Sequence, residues 1–336
     1  MIEFRLQVAV GPRRLQVIEV LYSKKLHRPR GRVSRKAMET AGLAVASRRR
    51  IAFLESAFEK VRARAFSRYA VEMECRRSYD SDLTDAEWSR LEPLVPAPKH
   101  GGRPAKHTRR EILNGICYAI RSGGAWKLLP HDLPAWRTVY HYFWSWRRRG
   151  IWERINDTVR GWVRQAAGRE CQPSAAVLDS QSVRTSEQGG PRGYDGAKNL
   201  CGRKRHLLVD TLGLVLLVVV TEANVQDRDG ARTLLSVLAT EFRRLRVIWA
   251  DGAYAGALQM WVRGLRKWGK VRLDIVRKAK GQRGFAVVPW RWIVERTFAW
   301  LGRYRRLKSD YECLPETTEA LVHIAMIRLM VRRLAV

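Results

Sequence analysis

A chain of 336 residues with 46% apolar and 29% charged side chains can bury one large core or two ordinary ones, and it is not globally disordered. Its 64 Lys and Arg against 32 Asp and Glu leave a formal charge of +32, which repels itself unless a polyanion or counterions neutralise it. Nucleic acid is the leading partner, since a cationic membrane-surface protein should bring an anchor or a long basic amphipathic helix. The longest nearly unbroken apolar run, Leu212 to Val220, is too short to cross a bilayer. The start carries Glu3 and no small-residue cleavage site, so no secretion signal is read and no membrane role is expected. Cysteines 75, 117, 171, 201 and 313 lack CxxC spacing, which supports neither a disulfide framework nor a zinc site and fits a reducing cytoplasm.

Residues 1 to about 77 contain no tryptophan, and basic clusters stand at Arg13-Arg14, His27 to Arg30 and Arg48 to Arg50. They read as a basic, poorly ordered extension with room for one helix over 45–66, and Met73 is an alternative start. From Leu83 the signals sharpen. Thr84 with Glu87 three positions on forms a helix-start signature, and Pro93 and Pro96 stop that helix. Thr108 caps a second helix whose Ile112, Ile116, Ala119 and Ile120 form an apolar stripe, ended by Gly123-Gly124. A third helix runs from Trp136 to about Arg149 and continues after Gly150 to Ala167. Two helices joined by a short irregular segment resemble a helix-turn-helix arrangement, so 78–170 is expected to be an all-α DNA-binding region. Its candidate DNA contacts are Arg137, His141, Arg147 and Arg148.

Beyond Cys171 the hydrophobic period changes. Ala175 to Leu178 is a short strand, and Arg205 to Val209 with Leu214 to Thr221 form a hairpin about the Asp210 turn. Helix 228–242, strand 245–250, helix 255–267, strand 271–276 and a helix from Pro289 complete a β-β-β-α-β-α-β-α order. A mixed sheet with helices on its faces follows, giving an α/β domain over 171–336.

Asp179 and Asp251 each end an apolar run, AAVLD and RVIWAD, at the carboxyl end of a strand, where side chains leave the core for a crevice. Small residues follow both, Ser180 and Gly252. Glu295 borders the buried stripe of Val294, Phe298 and Leu301 on the last helix. Three converging carboxylates need a cation, and hard divalent metals take oxygen ligands. Two such ions about 4 Å apart can activate an attacking oxygen and stabilise a leaving one in phosphodiester cleavage. Bland readings compete: a strand-end Asp is commonly a turn or helix cap, and Glu295 can pair with Arg291 four residues earlier. Asp210 reads as turn chemistry, and Asp227 and Asp229 as helix-start residues.

The segments LDSQSVRTSEQGGPRGYDG, GRKRHLLVDTLG, RVIWADGAYAG and RWIVERTFAWLGRYRRLKSDYE resemble those of bacterial insertion-sequence transposases of the insertion-sequence-five family. The earlier SDLTDAEWSRLEPLVP and GGRPAKHTRREILNGICYAIRSGGAWKLLP do so too, so the resemblance spans about Tyr79 to Tyr311. It implies an RNase-H-like core with an Asp-Asp-Glu triad at Asp179, Asp251 and Glu295, holding Mg²⁺ or Mn²⁺, as two ions. Arg291 matches the family's basic signature before the glutamate, whereas Gly302 stands where a basic residue is expected and Arg303 follows it. With that reading Lys204, Arg205 and His206 could hold phosphates, and Arg291, Arg303, Arg305 and Arg306 could line a DNA path. Trp292 or Tyr304 could stack on an unpaired base.

The expected activity is cleavage of DNA at terminal inverted repeats and joining to target DNA, by a homodimer or higher oligomer on DNA at the bacterial nucleoid. A nuclease on the same fold, a DNA-binding regulator and an inactive remnant remain open at this point.

Overall fold

The computed structural model describes residues 4–11, 14–22, 76–97, 105–264, 271–277 and 290–335, with the side chains of 4–11, 14–22 and 237–241 excepted. The chain divides into two compact units, Met1–Cys75 and Arg76–Val336. In the first, β1 (Phe4–Gly11) and β2 (Arg14–Tyr22) pair antiparallel with a register shift at Gln7/Val8, a hairpin not among the expected elements. The helix expected over 45–66 lies outside the described residues.

The second unit begins with the helices read from the sequence. At α1 (Asp85–Leu91) the Thr84 side chain accepts from the Glu87 N–H while the Glu87 carboxylate takes the Thr84 N–H, the expected reciprocal cap. Thr108 caps α2 (Arg109–Ser122), and its predicted stripe, Ile112, Ile116, Ala119 and Ile120, is buried. Gly123 ends it at φ +77, where a Cβ would also stand 2.9 Å from that of Arg305. Two demands converge on glycine there: left-handed backbone and a close neighbour. Helices α3 (Trp136–Arg148) and α4 (Ile151–Ala166) follow, hinged at Gly150 with φ +62.

The sheet is built from β3 (Ala175–Arg184), β4 (Gly193–Asp195), β5 (Leu200–Asp210), β6 (Val215–Glu222), β7 (Val247–Ala250) and β8 (Arg272–Ile275). In space the order is β6-β5-β3-β7-β8, with β4 beside the first residues of β5. Strand β5 runs antiparallel to β3 and β6, while β7 and β8 run parallel to β3. The short β4 escaped the sequence reading. Asp210 works as expected: one carboxylate oxygen accepts from the N–H of Leu212 and of Leu214, and the other meets Arg164 at 2.5 Å.

Side chains alternate across a strand, so each face of the sheet takes every second residue. Ala176 and Leu178 of β3, Leu208 of β5 and Ile248 of β7 pack under α5 (Asp227–Glu241) and α6 (Ala257–Gly264). Val177, Leu207 and Val209 pack on the other face with α7 (Arg291–Leu301) and α8 (Pro315–Leu334). Helix α8, absent from the sequence reading, is buried along most of its length. It joins the apolar cluster that also holds α1, α2 and α4, and Arg328 and Arg332 reach the buried Glu87 of α1. No helix among the described residues is long and apolar enough to cross a membrane.

Candidate active site

Parity along the strands decides which acids meet. Asp179 lies two residues beyond Val177, hence on the α7 face, and Asp251 lies two beyond Trp249, which packs on the same side. Ser180 falls on the opposite face, where its hydroxyl donates to Asp227 at 2.8 Å. Asp179 is in the middle of β3 and not at its end, a correction to the reading of AAVLD. The β3–β7 pairing stops at Val177↔Trp249, and the chain turns away at Asp251.

The three acids differ in how their oxygens are used. Asp179 is half-buried, and one oxygen accepts from the Ser180 N–H at 2.8 Å. Burial pushes its carboxyl up to about 6, against the Ser180 hydrogen bond and with help from the Asp251 and Glu295 charges. Asp251 caps the turn Gly252–Tyr254 through Oδ1, which accepts from the Ala253 N–H at 2.9 Å. Its Oδ2 stands 4.0 Å from Arg291 Nη1. Glu295, following the fully buried Val294, is exposed and pairs with Arg291 Nε at 3.1 Å. Both the cap at Asp251 and the helix pair at Glu295 are therefore present, and each engages one carboxylate oxygen. Space is open at Gly252, where an added Cβ would meet nothing within 4 Å.

Arg291 thus stands between two of the three carboxylates as their single shared cation. Among the described residues no three His, Cys, Asp or Glu side chains are gathered tightly enough to ligate one ion. The donor set nevertheless suits a hard divalent cation: carboxylate oxygens, one of the groups held half-dry at a raised pKa by its anionic neighbours.

Behind Asp179 lies a network the sequence reading missed. Lys204 Nζ donates to the Val225 carbonyl at 2.8 Å and pairs with Asp227 at 3.0 Å, and Asp227 takes the Ser180 hydroxyl. Burial and the Asp179 and Asp227 carboxylates push the enclosed Tyr254 phenol well up. The available signal was a lysine on the strand facing an acid at the start of the next helix.

Several expected phosphate contacts are corrected. Lys204, Arg205 and His206 are all buried, because alternation sends Lys204 and His206 under α5 and Arg205 under the α7–α8 connection. Arg205 donates to the Leu307 carbonyl at 2.6 Å, and His206 meets the Thr221 hydroxyl at 3.0 Å. Burial lowers the His206 imidazole to about 4, so it is neutral at physiological pH. Arg306 is buried too, between Glu312 and the Gly124 carbonyl. Arg147 is half-buried and donates to Thr317 at 2.9 Å.

Other candidates face solvent. Arg291, Trp292, Arg303 and Arg305 are exposed, Trp292 with the Arg296 guanidinium 4.6 Å from its ring. Tyr304 is half-buried with the Arg121 guanidinium 5.8 Å from its ring. On α3, Arg137, Tyr140, His141, Trp144 and Arg148 form an exposed stripe at helical spacing, while Phe143 and Trp146 enter the core. Arg148 lies 4.8 Å from the Trp144 ring.

Comparison with known proteins matches residues 170–330 to the family model "Transposase DDE domain". Residues 83–156 match "Putative transposase of IS4/5 family". A "Putative transposase for insertion sequence element IS402" from Burkholderia cepacia is 32% identical over 130 residues, 37% of this chain and 59% of that protein. The "Insertion element IS402 uncharacterized 16.2 kDa protein" of the same organism is 28% identical over 32% of this chain and 76% of its own length. Among solved structures, the "Crystal structure of a pre-cleavage Mos1 transpososome" aligns with 79% of this chain and 90% of that one at 11% identity. Its TM-score of 0.21 is too low to bear on this fold. Residues 83–330 are thus matched in order by two transposase family models, and the chain is similar to DDE-domain transposases of the IS4/5 insertion-sequence type.

Proposed function

We propose that this chain is a DNA transposase that binds the terminal inverted repeats of its insertion sequence, cleaves the DNA ends and joins them to target DNA. The observation that carries this reading is that Asp251 and Glu295 share Arg291 near Asp179, whose raised carboxyl senses both acids, where the β3–β7 pairing ends. The strand order β6-β5-β3-β7-β8, in which β5 alone runs against parallel neighbours, supports an RNase-H-like core.

The carboxylate donors fit Mg²⁺ or Mn²⁺, and two such ions supply activation of the attacking oxygen and stabilisation of the leaving one. Asp179 offers the oxygen not engaged by Ser180, and Asp251 offers Oδ2 while Oδ1 keeps the turn in place. Glu295 joins by giving up Arg291, which then stands free to meet a DNA phosphate. The half-buried setting of Asp179 and Asp251 strengthens their interactions relative to water.

Residues 78–170 act as the DNA-binding part in a helix-turn-helix-like arrangement, with α3 presenting Arg137, His141 and Arg148, and 171–336 as the catalytic part. Joining two ends calls for a homodimer or higher oligomer on DNA, at the nucleoid.

The test is an in-vitro reaction with Mg²⁺, labelled DNA carrying the repeats that flank the element's own reading frame, and a target plasmid. Wild type nicks at the repeat ends and joins them to the plasmid, whereas Asp251→Asn binds without cutting. If both bind and neither cuts with Mg²⁺ or Mn²⁺, the chain is a DNA-binding regulator or a dead remnant. Cutting without joining makes it a nuclease.

A further inference from the structure

We propose that Trp249 and Trp290 are positioning residues: their stack sets where α7 delivers Glu295 and Arg291 to the site. The proposal rests on the three-carboxylate reading and goes beyond it. The two indoles stack with centroids 4.5 Å apart and planes 5° from parallel. Trp249 precedes Asp251 by two residues on the same face of the sheet, and Trp290 directly precedes Arg291. One contact therefore links the strand that carries one acid to the helix that carries another.

Trp290 adopts φ +68, ψ −31, which a bulky side chain takes only when its surroundings compensate. Burial does not supply that compensation, since the residue is 44% exposed. The stack does, and the unusual φ is what turns the indole back on to Trp249 at the start of the helix. No side chain caps α7, and its first two residues, Arg291 and Trp292, are exposed. The helix is fixed by buried Ile293, Val294, Phe298 and Leu301 and by the Thr297 hydroxyl on the Gly213 carbonyl at 2.8 Å. The stack adds a restraint on the exposed first turn, at Arg291 and less than two turns from Glu295, and so adjusts where these two side chains lie. Misplacement of a reacting group by about 1 Å can cost as much as ~100-fold in rate.

The experiment uses full-length protein and three readouts. These are Mn²⁺ binding without DNA by electron paramagnetic resonance, the exciton couplet of the paired indoles in circular dichroism, and strand transfer with flanking-repeat DNA. Trp290→Gly accommodates the backbone but removes the ring. It should remove this pair's share of the indole couplet, leaving that of Trp146 and Trp152, weaken Mn²⁺ binding about tenfold and lower turnover about tenfold, with the KM for DNA unchanged. Trp290→Phe retains an aromatic face and should recover most of both losses. The paired Trp249→Ala and Trp290→Ala changes should be no worse together than either alone.

Wild-type Mn²⁺ binding and turnover in Trp290→Gly, with this pair's share of the couplet gone, would overturn the proposal. So would unchanged turnover with a tenfold rise in the KM for DNA, because the indole would then be holding DNA. If Trp290→Gly does not fold, Trp290→Phe and the two alanine singles decide the matter by the same readouts. Asp251→Asn run alongside separates the two levels of argument: its activity would sink the carboxylate reading itself, whatever the tryptophan variants do.

Discussion

Replacing Asp179 by asparagine should make the protein more stable and inactive, and the size of the gain follows from the site. The carboxyl ionises at about 6 in the folded chain against 3.8 for an unperturbed aspartate, because burial and two neighbouring acids disfavour its charge. At ~1.4 kcal/mol per unit, holding it ionised costs the fold ~3 kcal/mol at neutral pH and above. The sign is opposite to that of a salt-bridged aspartate. With the folded value raised, the cost is absent below about 4, grows as pH rises between about 4 and 6, and is complete above. Asparagine keeps the shape without the charge. At pH 8 it should therefore raise the midpoint of thermal unfolding by about 6–12 °C, taking ~2–4 °C per kcal/mol for a domain of this size, and at pH 4 by almost nothing. Melts of both proteins at the two pH values, followed by circular dichroism, measure it. Other carboxylates titrate alike in both proteins and drop out of the difference. Mn²⁺ should stabilise wild type at pH 8 and leave the variant unmoved, since the same carboxylate is proposed to hold the ion. Equal midpoints at pH 8, or an equal gain at both pH values, would refute the account of Asp179 as a half-dry acid pressed by like charges.

Arg205→Ala separates a structural arginine from a phosphate contact: it should destabilise the fold by ~2–4 kcal/mol in urea, since the Leu307 carbonyl loses its donor and a cavity opens. The slope of log binding constant against log salt for DNA should stay as in wild type, measured by fluorescence anisotropy across salt concentrations. Arg137→Ala and Arg148→Ala on the exposed face of α3 should do the reverse, each lowering that slope by about one while leaving the unfolding midpoint within a degree or two.

The distance between those arginines and Arg205 marks the limit of the sequence reading. Capping pairs, apolar spacing and turn residues act over a few positions, so the helices after Thr84 and Thr108, the Asp210 turn and the strand before Asp251 were legible in the chain itself. The three acids as a set came from the resemblance of the motifs, and their joint role is the proposal made above. The longest described helix, α8, escaped because it is apolar nearly all round, with no amphipathic stripe to announce it, and its buried surroundings come from segments far away in sequence.

The basic run Lys204-Arg205-His206 looked like a phosphate grip because sequence shows charge and not what covers it. Strand alternation places neighbours on opposite faces, and helices from later in the chain seal both. Asp179 looked like a strand end because the apolar run stops there, yet β5 carries the strand onward to Arg184 by backbone pairing that no side-chain pattern reports. Which acid faces which helix, which cation stands between them, and which tryptophan reaches back to the sheet depend on contacts between residues far apart in the chain. The sequence by itself determined the local elements and the candidate chemistry. The sharing of Arg291 by Asp251 and Glu295 and the burial of Lys204, Arg205 and His206 were decided by tertiary packing, because burial and Coulomb interactions act through space, whatever the separation along the chain.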